Sequence, residues 1–269
     1  MLARTLRPAV SLPAASLAAV ALTLSGCGTG GDGGSTTLQV AAATPPMTDI
    51  VEAAADAIGD GYEIEMVEVA DYVQPNAMLE AGEIDANFVQ HEPFMEEFNE
   101  GNDASLVSVQ PVYLTAVAFY SKDLESIDDL PDGGHVTLPA DSSNLGRALQ
   151  MLAEAGIVTL DPDAERFEAG LDDITDNPRD LEFVQVELLQ ANAAYEESDA
   201  VFNLPAFAGQ IDLSPFEDGL TLEEDEHFAV TLVSREDNQD SPEVAALAEA
   251  FTSEQVQAVL DEYEINPAY

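Results

Sequence analysis

Positive charge is scarce in this chain: 7 Lys and Arg, with Lys122 the sole lysine, stand against 53 Asp and Glu in 269 residues, a formal charge of −46. No basic patch can form to neutralise phosphates, so nucleic acid is excluded as a partner. Histidine is nearly as rare. His91, His135 and His227 lie far apart in sequence without metal-ligand spacing, and no metal is expected. Neither a G-x-S-x-G elbow nor an H-E-x-x-H helix is present. Pairs of carboxylates carry almost no information where acids are so abundant, so no catalytic residue is assigned and no enzyme is expected. Cysteine occurs once, at Cys27, and no run of about 18 apolar residues follows it that would predict a membrane-crossing helix.

What precedes Cys27 is distinctive. Arg4 and Arg7 are followed by an apolar core from Ala14 to Leu24, then by Ser25 and Gly26. That is the charged start, apolar middle and small-residue exit of a secretory signal. Leu24-Ser25-Gly26-Cys27 resembles the lipobox of bacterial and archaeal lipoproteins. This resemblance implies cleavage after residue 26 and acylation of the Cys27 thiol, whose thiolate is the nucleophile. Two acyl chains such as palmitate anchor a protein that one chain holds only marginally. Residues 28–37, GTGGDGGSTT, have nothing to bury and read as a flexible tether. The expected location is the extracytoplasmic face of the cell membrane. Losing Arg4 and Arg7 leaves five cations against 53 acids, a charge of −48 that repels itself unless salt screens it. A saline or alkaline habitat follows, while 46% hydrophobic content in regular segments argues against disorder.

Beyond the tether, apolar patterning alternates. Strands are expected at 38–42, 62–69, 85–89, 112–120, 135–138, 181–186, 199–203 and 228–234. Helices are expected at 49–58, 74–81, 144–155, 187–195, 242–251 and 253–263. The run 112–120 is the most strand-like piece. Such alternation predicts an α/β fold of mainly parallel sheets, in two lobes with a ligand cleft at the carboxyl ends of strands.

Four junctions bear aromatic and hydrogen-bonding groups: Asp71–Asn76, Asn87–Phe94, Pro139–Arg147 and Val201–Asn203. The planar fork of Arg147 suits a ligand carboxylate, or a salt bridge to one of many acids. His91 suits a ligand contact, or the cap of a helix beginning near Pro93. Tyr72, Phe88 and Phe94 fit an apolar pocket or the core, Phe88 by strand parity the core. Asn144 and Asn203 suit the polar backbone of an amino acid, with helix capping as the alternative.

DYVQPN (71–76), QHEPF (90–94) and NLGRAL (144–149), in this order, resemble the MetQ/NlpA family of methionine-binding lipoproteins, as do Glu83–Asn87 and Val233–Asn238. The resemblance spans nearly all of the chain after Cys27. It implies a two-lobed periplasmic-binding-protein-like fold of type II, with residues 38–118 and 226–269 in one lobe and 119–225 in the other. It also implies a protein without cofactor that binds a methionine-like amino acid for an ABC permease and its ATPase, and the large like charge, which disfavours self-association, points to a monomer. The implied ligand contacts are Tyr72, His91, Phe94, Asn144, Arg147 and Asn203. Two positions depart from the family: Val89 replaces the usual phenylalanine, and Val230 the asparagine at the ligand's polar end. The loop 204–207 is also one residue longer. These departures open the alternatives of another amino acid or a short peptide, and a surface sensor shares the same expected fold.

Overall fold

The structure, a computed structural model, describes residues 35–269. The signal segment, the lipidation site Cys27 and most of the tether lie outside the described residues. Among the described residues no helix is long and apolar enough to cross a membrane.

The first lobe is built from β1 (Thr36–Ala42), α1 (Met47–Ala57), β2 (Tyr62–Glu68), α2 (Gln74–Glu80), β3 (Ala86–His91), α3 (Glu92–Asn102) and β4 (Leu106–Tyr113). The second holds β5 (Val117–Tyr120), β6 (His135–Pro139), α4 (Ser142–Glu154), β7 (Thr159–Leu160), β8 (Ile174–Asp176) and β9 (Glu182–Val186). It continues through α5 (Ala191–Ala194), β10 (Ala200–Asn203), α6 (Pro205–Ala208) and β11 (Thr221–Glu223). The chain then returns to the first lobe with β12 (Val230–Arg235), α7 (Pro242–Ala250) and α8 (Glu254–Glu262).

The sheet orders are β2-β1-β3-β12-β4 and β11-β5-β10-β6-β9. Neither is mainly parallel, contrary to the expectation from alternation. The pairs β1–β2, β1–β3, β6–β10 and β6–β9 are parallel, whereas every pair involving β5 or β12 is antiparallel. The physical cause is the pair of crossings. Strand–helix–strand units give parallel neighbours, but a strand that arrives from the other lobe enters its sheet in the reverse direction.

The apolar run 112–120 is likewise two strands and not one. Leu114 donates its N–H to the Asn266 carbonyl, and the Thr115 carbonyl accepts from Arg147 Nη2 at 2.7 Å. These backbone groups are satisfied outside any ladder, so the chain leaves one sheet and enters the next. Residues on either side of Thr115 are buried, one set in each lobe, which keeps both flanks of the run apolar. The helix expected at 187–195 is a 3-10 turn at Leu188–Gln190 followed by the short α5.

Each lobe has its own core. In the first, Phe88 on the fully buried β3 meets Tyr113 and Phe251 edge to face, with centroids 6.0 and 4.9 Å away. It belongs to this core, as its strand parity indicates. The second core gathers Phe119, Phe202, Leu138 and Leu149 around α4. Where the register of β12 on β3 shifts between Asn87 and Gln90, buried amides gather: Asn87 Nδ2 donates to Asn76 Oδ1 at 2.8 Å, and Asn76 Nδ2 to Gln90 Oε1 at 2.7 Å. Three buried amides thus satisfy one another, as burial demands.

Candidate functional site

Parallel strands deliver their carboxyl ends to one place. Thr44–Met47 after β1, Val89–His91 at the end of β3 and Leu204–Ala206 after β10 line a cavity of about 540 Å³ between the lobes. The crossing residues Leu114–Ala116 and Glu224 complete its wall. The volume suits a small organic ligand, and the position is where α/β sheets hold one.

His91 ends β3 and caps α3, its Nδ1 accepting the Phe94 N–H at 3.2 Å. That acceptance assigns the proton of the neutral ring to Nε2, which donates to Asn144 Oδ1 at 3.3 Å. Burial, reinforced by the Arg147 charge, lowers the pKa of His91 to about 3, so the ring is neutral at physiological pH. The cap reading of His91 therefore holds, and the ring also lines the cavity.

Asn144 does not cap its helix. Asp141 does, accepting the Asn144 N–H and Nδ2 through one oxygen, each at 2.8 Å. Burial raises the pKa of Asp141 against these bonds. Asn144 is thereby held with its carbonyl toward His91, one group from each lobe.

Tyr72 and Phe94 line the same cavity, Tyr72 edge-on to Phe207 at 5.5 Å and Phe94 to His91 at 6.2 Å. Val89 and Val230 also face it, and Val230 lies opposite His91 in the register of β12 on β3. Residues 204–207 lead into α6, and Leu204, Pro205 and Ala206 stand in the wall.

Arg147 and Asn203 stand behind the wall and not in it. Arg147 is fully buried, one turn beyond Asn144 on α4. Its Nε donates to Glu223, its Nη2 to the Thr115 carbonyl, and its guanidinium lies 4.2 Å from the centre of the Phe228 ring. Only Nη1 lacks a partner among the described residues. The salt bridge is real, and the full two-pronged grip on a ligand is not free in this conformation. Burial opposes both charges, pushing Glu223 up and Arg147 down, while each partner counters it in the other. Asn203, 1% exposed, donates from Nδ2 to Asn192 at 2.7 Å, and its Oδ1 is unpartnered among the described residues.

Sequence reasoning missed Glu223, one acid among 53, and the tail residues Tyr263 and Ile265, which line the cavity from beyond α8. No local motif marks them. It also missed how His91 and His227, distant in sequence, both contact Phe228, with centroids at 5.1 and 5.0 Å.

Comparison with known proteins places this geometry in context. Residues 38–267 match the NlpA lipoprotein family. The D-methionine-binding lipoprotein MetQ of Salmonella typhi is 36% identical over 200 residues, 73% of each chain. The methionine-binding lipoprotein MetQ of Bacillus subtilis is 34% identical over 246 residues, 88% of this chain and 90% of that one. Among solved structures, a nutrient binding protein from Burkholderia cenocepacia bound to methionine superposes with a TM-score of 0.82 at 27% identity, over 86% of this chain and all of that one.

Proposed function

The chain belongs to the NlpA lipoprotein family, and on that premise we propose that it is a substrate-binding lipoprotein of an ABC importer, holding methionine or a related small amino acid between its lobes. The observation that carries the reading is the cavity where neutral His91 from one lobe meets Asn144 from the other beside apolar walls. Relatives named for methionine binding match over most of the chain, and one similar structure holds methionine.

In this reading Tyr72 and Phe94 pack around the ligand side chain, where a thioether gains up to about 1 kcal/mol from aromatic contact. Asn144 and His91 orient the polar end. Arg147 supplies the counter-charge for the carboxylate through Nη1, and Asn203 offers its spare carbonyl. Lobe closure about the two crossings commits the ligand, and the closed form docks on a permease driven by its ATPase. Cys27, acylated, holds the monomer at the outer face of the membrane. Val89 and Val230 favour a second possibility within the same role, a ligand that needs less polar contact than methionine, such as another apolar amino acid or a short peptide.

Calorimetric titration of refolded protein in about 1 M salt, which cuts the Debye length to about 3 Å, tests this with L-methionine, D-methionine and Gly-Met. Saturable binding of L-methionine that Arg147→Ala abolishes supports the methionine reading. Heat from the dipeptide alone moves the assignment to the second possibility, and silence with every amino acid and dipeptide refutes both.

A further inference from the structure

Glu97 sits on α3 in the first lobe, half-buried, and does not line the cavity. Its two oxygens accept backbone N–H groups of the second lobe: Oε1 from Ser142 at 3.1 Å and Oε2 from Ser143 at 3.2 Å. Ser142 is the first residue of α4. The opening N–H groups of a helix have no partner within it, and the helix end carries partial positive charge. Those of the first three helical residues are held by carboxylates, the third, from Asn144, by Asp141. Two of the three bonds come from the opposite lobe.

The helices so joined matter. α3 begins with the cap His91 and carries Phe94, whereas α4 carries Asn144 and Arg147. A charge-assisted pair of bonds at this point sets the spacing between the two sides of the cavity.

We propose that Glu97 is a positioning residue for ligand binding, a latch that holds the N-terminus of α4 against α3 and so slows opening of the cleft without touching the ligand. The inference rests on the proposed function for its ligand arm only. Its contact forms where the lobes meet, so it stabilises the closed arrangement and leaves each lobe's own core untouched.

Two measurements test it on the full-length protein: amide hydrogen exchange at Ser143, and the dissociation rate of L-methionine by stopped flow. Glu97→Gln is expected to accelerate Ser143 exchange and to release methionine about tenfold faster, with the melting temperature of the ligand-free protein unchanged. Glu96→Gln, an equal change of charge on an exposed neighbour, is expected to alter neither. Ser142→Pro deletes one donor at a helix position that accepts proline, after an Asp141 already extended at φ −70 and ψ 143. It too is expected to speed release, and the double variant to fall short of the product of the single effects. Unchanged Ser143 exchange in Glu97→Gln overturns the proposal, as does a lowered melting temperature with an unaltered release rate. If the unmodified protein binds no methionine yet Glu97→Gln still frees the Ser143 amide, the methionine reading fails and the latch stands.

Discussion

Replacing Arg147 by methionine isolates what the buried pair contributes to the fold. The Arg147 side chain is 0% exposed and that of Glu223 11% exposed. Removing the cation leaves Glu223 nearly buried and uncompensated, and the Thr115 carbonyl loses its donor. Breaking a buried ion pair from one side costs about 3 kcal/mol or more. For a body of this size that is a fall of about 6–12 °C in Tm. Adding Glu223→Gln removes the stranded charge, so the double variant is expected to regain at least half of the loss. The pH dependence has a definite sign. Burial already raises the Glu223 pKa, and loss of Arg147, the chief influence holding it down, raises it further. A carboxyl whose folded pKa exceeds its unfolded value is stabilising below the unfolded pKa, and that contribution is lost as pH rises through the folded one. The deficit of Arg147→Met is therefore largest near neutrality and shrinks as pH falls through the carboxylate range. Thermal scans at fixed high salt across that range read it. A single-variant cost under about 1 kcal/mol, or a double variant no better than the single, refutes the assignment of the cost to a stranded carboxylate.

His91 stays neutral until about pH 3 in the fold but protonates near 6.5 when unfolded, so stability falls with pH below 6.5; urea midpoints should show His91→Gln sparing roughly 2 kcal/mol at pH 5. Gly146→Ala places a Cβ 1.8 Å from the Phe167 carbonyl oxygen, and overpacking against backbone is expected to cost about 2–3 kcal/mol in chemical denaturation. Val230→Asn puts an amide on the cavity wall opposite His91; calorimetry should show L-methionine held about tenfold more tightly, and unchanged affinity would place the ligand's polar end elsewhere.

Much of the architecture was legible because burial writes itself as periodicity. The helix around Asn144–Ala155 and the strand ending at Asn203 follow directly from spacing. The crossing at 114–116 was not, since an apolar run records that residues are buried without recording in which core. The same limit explains the sheet polarity, which depends on where β5 and β12 come from and not on what they contain. At the site, Tyr72, His91, Phe94 and Asn144 were readable from strand-end motifs, and all four line the cavity. Arg147 was recognisable as a rare cation, but its partner was hidden among like residues. Glu97 was invisible for the same reason, its partners being backbone N–H groups that leave no mark on sequence.

β3 and β4 follow one another in the chain but do not pair; β12, well over a hundred residues later, lies between them. A chain that emerges amino-end first can complete its second lobe, which is contiguous, long before the first. Until Arg235 is available the first sheet exists as two fragments with bare edges, a template for unwanted strand addition and a closure of high contact order. The lobe begun first is thus the last to be finished, and the dense negative charge of the chain keeps nascent copies apart during that wait.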